Sequence, residues 1–359
     1  MSTSLFSPYK LGRIELANRF VMSPMTRNRS IGNIPHEIES TYYAQRAEAG
    51  LIITGGISPS PNGLGYARIP GLFSSEQVAG FRRVADAVHQ AGSHIFAQLM
   101  HVGRIGHPAN LPAGARLLGP SAIAAPGTMY TDTEGMQPHP APAAMTEAEI
   151  EEAIGEHVRA AELAIEAGLD GVELHGANGY LIEQFLNTAS NQRTDGWGGS
   201  IEGRARFALE VAERVARQIG GDRLGIRLSP YGVFNGMQAD PETDALYEHL
   251  ARRLGELGLV YVHLVDHSSM GAPPVSPTLK QSIRKLFPGT YIASGGYDRA
   301  RAEQELAEGR ADLFAFGRPF LANPRLVSKL KNGTPLTPPD LATFYTPGPQ
   351  GLTDYPIDG

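Results

Sequence analysis

The feature that most restricts the fold of this chain is a recurrence. Eight apolar runs of strand length follow one another, and helical patterns fill most of the gaps between them. The runs are RFVMSPM (19–25), GLIITGGIS (50–58), HIFAQLMHVG (94–103), DGVELHG (170–176), RLGIRLSP (223–230), LVYVHLVD (259–266), TYIASGG (290–296) and DLFAFGR (312–318). Gly, Pro or polar residues bound each of them. The clearest helical pattern spans 146–167, where Ile150, Ile154, Val158, Ala161 and Ile165 share one face. Thr146 and Glu149 form a capping box at its start, Met145 and Ile150 an apolar staple, and Gly168 the stop. A second pattern runs from Ser75 to Ala91 and ends at Gly92.

Strands that alternate with helices imply an α/β protein with a parallel sheet, and eight of them imply a closed (β/α)8 TIM barrel. The competing open, doubly wound sheet would carry a Gly-rich dinucleotide turn after its first strand, and MSPMTRNRS is not one. Two pieces exceed a minimal barrel. Residues 1–18 read as an N-terminal hairpin that turns near Lys10 to Arg13 and closes one mouth. Residues 103–145, rich in Pro, Gly and Ala, form a long excursion after the third strand, of the kind that serves as a cap or lid. The expectation is one domain over 1–359.

Composition narrows the function. Charged residues make up 19% and the net charge is -6, with no Lys/Arg-rich run, which speaks against nucleic acid as a partner. The chain has no cysteine, so disulfides, thiolate zinc sites, cysteine nucleophiles and cysteine-ligated iron–sulfur clusters are excluded. The start, MSTSLFSPYK, lacks an apolar signal region, and no later run is long enough to span a membrane. A cytoplasmic protein is expected.

Barrel enzymes build their sites at the C-terminal ends of the strands. Here those ends carry Pro24-Met25-Thr26, Gly55-Gly56, Gln98, His175 with Asn178 and Tyr180, Arg227, Gly295-Gly296 and Gly317-Arg318. Loops after strands seven and eight are where barrels hold phosphate, and bare glycine backbone with a forked Arg318 suits that role. Gln98 offers a donor and an acceptor, enough to read an imide edge. Arg227 sets a fixed cation beside a ring that gains negative charge on reduction, unless it merely pairs with Glu173. Thr26 reaches the ring's far carbonyl. Phosphate, imide edge and developing charge together describe FMN. His175 and Asn178, three apart beyond a strand, then bring two donors to one carbonyl oxygen and stabilise an enolate. Tyr180 supplies the proton as a general acid. A catalytic metal is not expected: His101, His175, His263 and His267 lie near strand ends, yet the first strand lacks the His-x-His pair of metal-dependent barrel hydrolases.

These segments resemble the Old Yellow Enzyme family of ene-reductases, in its N-ethylmaleimide reductase / pentaerythritol tetranitrate reductase-like branch. The similarity extends over nearly the whole chain, through NRFVMSPMTRNRS, GGISPSPNGLGYARIPGLFS, AQLMHVGR, HGANGYLIEQFLNTASNQRTDGWGGSIEGRARF, IRLSP, ASGGY, FGRPFLANP and FYTPGPQGLTDYP. It implies noncovalent FMN, with NADPH or NADH as reductant and activated alkenes as substrates. It places cofactor contacts on Pro24, Met25, Thr26, Gly56, Gln98, Arg227, Gly295, Gly296, Gly317 and Arg318. Substrate contacts fall on Tyr66, Met100, His175, Asn178, Asn235 and Tyr345, and Tyr180 is the proton donor. The implied mechanism is ping-pong, with hydride passing from flavin N5 to the β carbon. The family often has Trp where this chain has Met100, which implies a softer pocket wall. Trp197 reads as structural.

Two other readings share these features. A flavin-free barrel isomerase or aldolase would use the same phosphate site, but Lys280, Lys285 and Lys329 fall in helices rather than at strand ends. A flavin store would not need His175, Asn178 and Tyr180. The enzyme is expected as a monomer or homodimer.

Overall fold

The structure is a computed structural model that describes residues 4–357; residues 1–3 of the expected hairpin segment lie outside the described residues. Eight parallel strands close into a barrel: β1 (Phe20–Met22), β2 (Leu51–Ile57), β3 (His94–Leu99), β4 (Gly171–Gly176), β5 (Leu224–Leu228), β6 (Tyr261–Val265), β7 (Thr290–Ser294) and β8 (Leu313–Phe316). β8 pairs with β1 through Phe314↔Phe20, which shuts the ring. Every apolar run of the sequence holds one strand. The strands are shorter than the runs because the ends of the runs leave the ladder to become the site. In the first run Pro24 has no N–H to extend the pairing, so Ser23 to Thr26 turn over the barrel mouth.

Alternation along the strands sorts the core into two layers. Val21, Leu51, Ile53, Phe96, Tyr261, Ile292 and Leu313 face inward and fill the N-terminal half of the barrel. Met22, Ile52, Ile95, Val172 and Leu174 face outward and meet the helices. The helix Glu147–Glu166 starts where the capping box requires, with Thr146 Oγ1 accepting from Glu149 N at 3.3 Å and the Glu149 carboxylate accepting from Thr146 N at 2.8 Å. Such a cap is worth about 1 kcal/mol. The helix ends at Gly168, whose φ is +90°.

The N-terminal hairpin forms as expected. Tyr9–Leu11 pairs antiparallel with Ile14–Leu16 around Gly12, and Leu11 and Leu16 are fully buried against the inward layer. At Gly12 (φ +55°) a Cβ would stand 2.4 Å from the Asp222 carbonyl oxygen, so only glycine makes this turn against the barrel. The hairpin plugs the N-terminal mouth.

The excursion after β3 carries a two-stranded ladder, Thr128–Thr131 against Gly135–Pro138, and folds over the C-terminal mouth. There Ile105, Ala125 and Met129 pack with Tyr66 and Tyr180. The segment from 341 to 352 reaches the same mouth with little ladder of its own, and guanidiniums satisfy its carbonyls. Arg29 donates to Thr343 O (2.8 Å), Gly348 O (2.9 Å) and Gln350 O (2.8 Å), and Arg27 donates to Gly351 O (2.8 Å). Phe344 and Tyr345 are thereby set on the rim.

Trp197 is buried, with the Arg206 guanidinium 4.0 Å from its ring centre, away from the mouth. His89, His94 and Asp170 cluster at the opposite end of the barrel, where one carboxylate oxygen of Asp170 accepts from His89 Nε2 and Ile95 N, both at 2.8 Å. That carboxylate pins a helix end to two strands.

Candidate active site

A cavity of about 660 Å3 opens at the C-terminal end of the barrel. Pro24, Met25, Thr26, Gln98, His175, Asn178, Tyr180, Arg227, Gly295, Gly296, Gly317 and Arg318 line it, together with Tyr66, Asn235 and Tyr345. Two of the expected residues are not in its wall. Met100 is buried with Leu64, Ile69 and Val102, and Gly56 lies against it: a Cβ on Gly56 would come within 2.4 Å of Met100 Sδ. The softer wall expected from Met100 is therefore not part of the cavity surface. Met100 instead supports Tyr66 and Tyr180, which pack on that cluster.

The floor of the cavity is a polar layer across three strands. Glu173 is fully buried and accepts hydrogen bonds from Gln98 Nε2 (2.8 Å), Tyr261 Oη (3.1 Å) and His263 Nδ1 (2.9 Å). This settles the alternative for Arg227. Glu173 is held by those three donors, and Arg227 Nε is buried with no hydrogen-bond partner. Burial lowers the Arg227 pKa from the usual guanidinium value, partly offset by the nearby Glu173. The cation therefore faces the cavity without a bonded counter-ion. Gln98 keeps its amide oxygen for the cavity while its nitrogen is bound to Glu173.

His175 neighbours Arg227 in the ladder. Burial, then the Arg227 charge, push its pKa well below the usual histidine value, so the ring is neutral. Its Nδ1 is buried and unpartnered. Three residues on, Asn178 adopts φ +60°, one of the few non-glycine residues in the left-handed region. Its N–H donates to Ser229 Oγ (3.0 Å), its C=O accepts from Asn235 Nδ2 (2.7 Å) and its Oδ1 accepts from His267 Nε2 (2.7 Å). Only the amide nitrogen of the side chain is left over. Tyr180 packs edge-on against His175, ring centres 4.8 Å apart, and its Oη lies 3.0 Å from Tyr66 Oη. Burial raises the Tyr180 pKa to about 12, so it keeps its proton at any working pH.

A buried carboxylate underlies this turn. Glu183 accepts from Gly179 N (2.5 Å), Ser229 Oγ (2.7 Å) and Tyr247 Oη (3.2 Å), which ties the 177–180 turn to β5 and a neighbouring helix. Neither this support nor His267 was assigned to the site from sequence. His267 does follow the sixth run directly, so its position at a strand end was the available signal.

Across the cavity, β7 and β8 end in glycines. At Gly295 (φ +121°) a Cβ would lie 2.0 Å from the Asp266 carbonyl oxygen, and at Gly296 (φ +66°) 2.7 Å from Ser269 Cβ. Gly317 precedes Arg318, whose side chain is exposed at the cavity edge. Bare backbone beside an unbonded guanidinium is the chemistry of an anion cradle. FMN fits this set of groups: the glycine end with Arg318 would take its phosphate, the Gln98 amide oxygen, its nitrogen being held by Glu173, would accept from the imide N–H, and the unpartnered Arg227 nitrogen would face the ring. Fold and site together define a flavin-dependent barrel oxidoreductase.

Comparison with known proteins agrees. Residues 4–337 match the NADH:flavin oxidoreductase / NADH oxidase family. A chanoclavine-I aldehyde reductase of Penicillium roqueforti is 44% identical over 98% of this chain and 96% of its own. The 12-oxophytodienoate reductase 1 of Oryza sativa is 41% identical over 98% and 93%. Among solved structures, morphinone reductase superposes with a TM-score of 0.95 at 41% identity, covering 98% of this chain and 96% of that one. The Old Yellow Enzyme homologue of Zymomonas mobilis gives 0.94 at 37%, covering 99% of each. The chain belongs to the NADH:flavin oxidoreductase / NADH oxidase family, as an Old Yellow Enzyme type ene-reductase that carries FMN and takes its reducing equivalents from a nicotinamide. The flavin-free isomerase or aldolase alternative is not favoured.

Proposed function

We propose that the enzyme reduces alkenes conjugated to a carbonyl or nitro group, and that His175, Asn178 and Tyr180 carry the chain's share of the chemistry. The observation behind this reading is the contact of His175 with Tyr180 at 4.8 Å, beside an Asn178 whose free group is a donor. Bound FMN would supply hydride transfer, from the nicotinamide and on to the β carbon of the alkene. His175 and Asn178 donate to the substrate's carbonyl oxygen and stabilise the negative charge that gathers there as the hydride arrives. Tyr180 then delivers its proton to the α carbon.

On this reading Pro24, Met25, Thr26, Gln98, Arg227, Gly295, Gly296, Gly317 and Arg318 hold the cofactor, and Tyr66, Asn235 and Tyr345 bound the substrate. Relatives named for chanoclavine-I aldehyde, 12-oxophytodienoate and morphinone point to carbonyl substrates of some bulk. The cavity of about 660 Å3 is the space that cofactor and substrate would share. We place the enzyme in the cytoplasm, acting on small molecules as a monomer or homodimer; among the described residues no helix is long and apolar enough to cross a membrane.

The test is an anaerobic spectrum of the purified protein, recorded after NADPH and again after 2-cyclohexenone. Flavin absorbance that bleaches with the first and returns with the second supports the reading. Failure of the enone to restore the colour would defeat it.

A further inference from the structure

The carboxamide of Asn178 has two faces, an oxygen and a nitrogen of nearly equal size, and only the nitrogen serves an anionic oxygen. Something must choose between them. The backbone bonds to Ser229 and Asn235 fix the position of the residue but not the rotation of its side chain. The side-chain contact is His267 Nε2 on Asn178 Oδ1 at 2.7 Å.

We propose that His267 is a positioning residue for the reaction: it holds Asn178 with its oxygen turned away and its N–H groups turned to the substrate. This rests on the reading of Asn178 as the second oxygen anchor given above.

The surroundings of His267 are built for a fixed, neutral ring. It opens a tight turn, His267–Met270, capped by Asp266 Oδ1, which accepts from Ser268 N at 3.0 Å. The other oxygen of Asp266 is taken by Lys280 Nζ at 2.6 Å, so that carboxylate offers His267 no ion pair. Phe234 packs edge-on against the ring at 4.7 Å. The His267 side chain is buried, and Arg227 lies on β5, the strand paired with the β6 that leads into His267. Both features disfavour a second positive charge, so the ring acts through one N–H, on Nε2. A carboxamide flipped end for end would set its N–H2 against that N–H. With the ring proton on Nε2, the tautomer that a carboxamide oxygen at 2.7 Å requires, a flip sets donor against donor, and the oxygen is retained on His267.

A double-mutant cycle separates this role from simple packing. Asn178→Ala, His267→Leu, the pair together, and His267→Gln are prepared as holoenzymes, with FMN content and melting temperature recorded for each. Two quantities are read: the rate of reoxidation by 2-cyclohexenone, and the dissociation constant of cyclohexanone, which is not reduced, from the flavin absorbance change. His267→Leu is expected to lower the rate and weaken ketone binding by about ten-fold, the scale of one lost hydrogen bond. His267→Gln, which keeps a donor, restores both to within about three-fold. In the Asn178→Ala background, His267→Leu has no further effect. Should His267→Leu fail to retain FMN, His267→Ala takes its place in the cycle.

The proposal is overturned if the effect of His267→Leu persists undiminished without Asn178, or if His267→Leu is silent while Asn178→Ala is not. If Asn178→Ala itself changes neither quantity, the anchor reading has failed and this proposal falls with it.

Discussion

Tyr66 Oη and Tyr180 Oη stand 3.0 Å apart, on two half-buried rings. Either hydroxyl can donate in this contact. With Tyr66 as the donor, the bond supports the phenolate that Tyr180 becomes on giving up its proton, and the Tyr66 contact lowers the Tyr180 pKa against the rise that burial causes. Tyr180→Phe is expected to slow reoxidation by an enone at least ~100-fold, with reduction by NADPH unchanged. Tyr66→Phe, which removes only the support of the phenolate left behind, should cost about ten-fold. Stopped-flow traces of the two half-reactions distinguish them, and the Tyr66→Phe effect must appear in the oxidative one.

The two glycine ends of β7 and β8 make opposite demands. Gly295→Ala drives a Cβ into the Asp266 carbonyl at 2.0 Å from a backbone at φ +121°, whereas the nearest atom to a Cβ on Gly317 is 3.7 Å away. Gly295→Ala is expected to lower stability by ~2 kcal/mol or more and to lose FMN with it. Gly317→Ala should fold normally. Any loss of FMN there reports the approach of the phosphate alone, which equilibrium dialysis with FMN and thermal melts of the apoprotein measure separately.

His101 and His157 stack with ring centres 6.5 Å apart in the wall between the third strand and the following helix. Burial lowers the His157 pKa to about 4. A base whose folded pKa is depressed adds stability above its unfolded value, and that contribution is lost as pH falls through the folded one. For His157 the window runs from pH 6.5 down to about 4. His157→Phe should therefore flatten the acid limb of the stability curve, by on the order of 3 kcal/mol at pH 4, with little change at pH 8. Urea titrations at the two pH values test it; parallel acid limbs in both proteins would refute it.

Arg68 joins the three segments that meet over the cavity. Its guanidinium pairs with Asp132 at the tip of the excursion, donates to Asn28 O (2.9 Å) and reaches Tyr345 O (3.3 Å). Arg68→Ala is expected to leave the melting temperature within about 2 °C, because one partner is a half-exposed carboxylate of small energetic worth. The rim should loosen, and the KM for an enone should rise several-fold, about three to ten, with kcat changed less. Steady-state kinetics at low and high salt provide the check.

The barrel and most of the cavity wall were legible because both depend on short-range order. His175, Arg227, Gln98 and the Gly295-Gly296 pair sit at the ends of strand-length runs, and the barrel rule converts that place in the sequence into a place in space. Met100 shows where the rule stops. Alternation puts it on the same side as Gln98, but β3 ends at Leu99, and beyond the ladder the side chain turned into the space that Gly56 leaves open. The environment of Asn178 was out of reach for another reason. Its partners Ser229, Asn235 and His267 come from 51, 57 and 89 residues away, and no local pattern announces such a meeting. The alternative bond between Arg227 and Glu173 rested on adjacency of two strands. A third strand intervened, bringing Tyr261 and His263 to the carboxylate.

The plug formed by Leu11 and Leu16, with the packed layer above it, leaves the barrel a single open end. Reductant and alkene must therefore arrive by the same door and stand in the same place at different times. Each is then a competitive inhibitor of the other's half-reaction, and an excess of nicotinamide delays the departure that turnover requires. Evolution toward a larger alkene cannot proceed by carving a second entrance, since that would open the core. It has to work on the rim, where the excursion, the Tyr66 loop and the C-terminal segment meet, and every enlargement made there also alters how tightly the reductant is held.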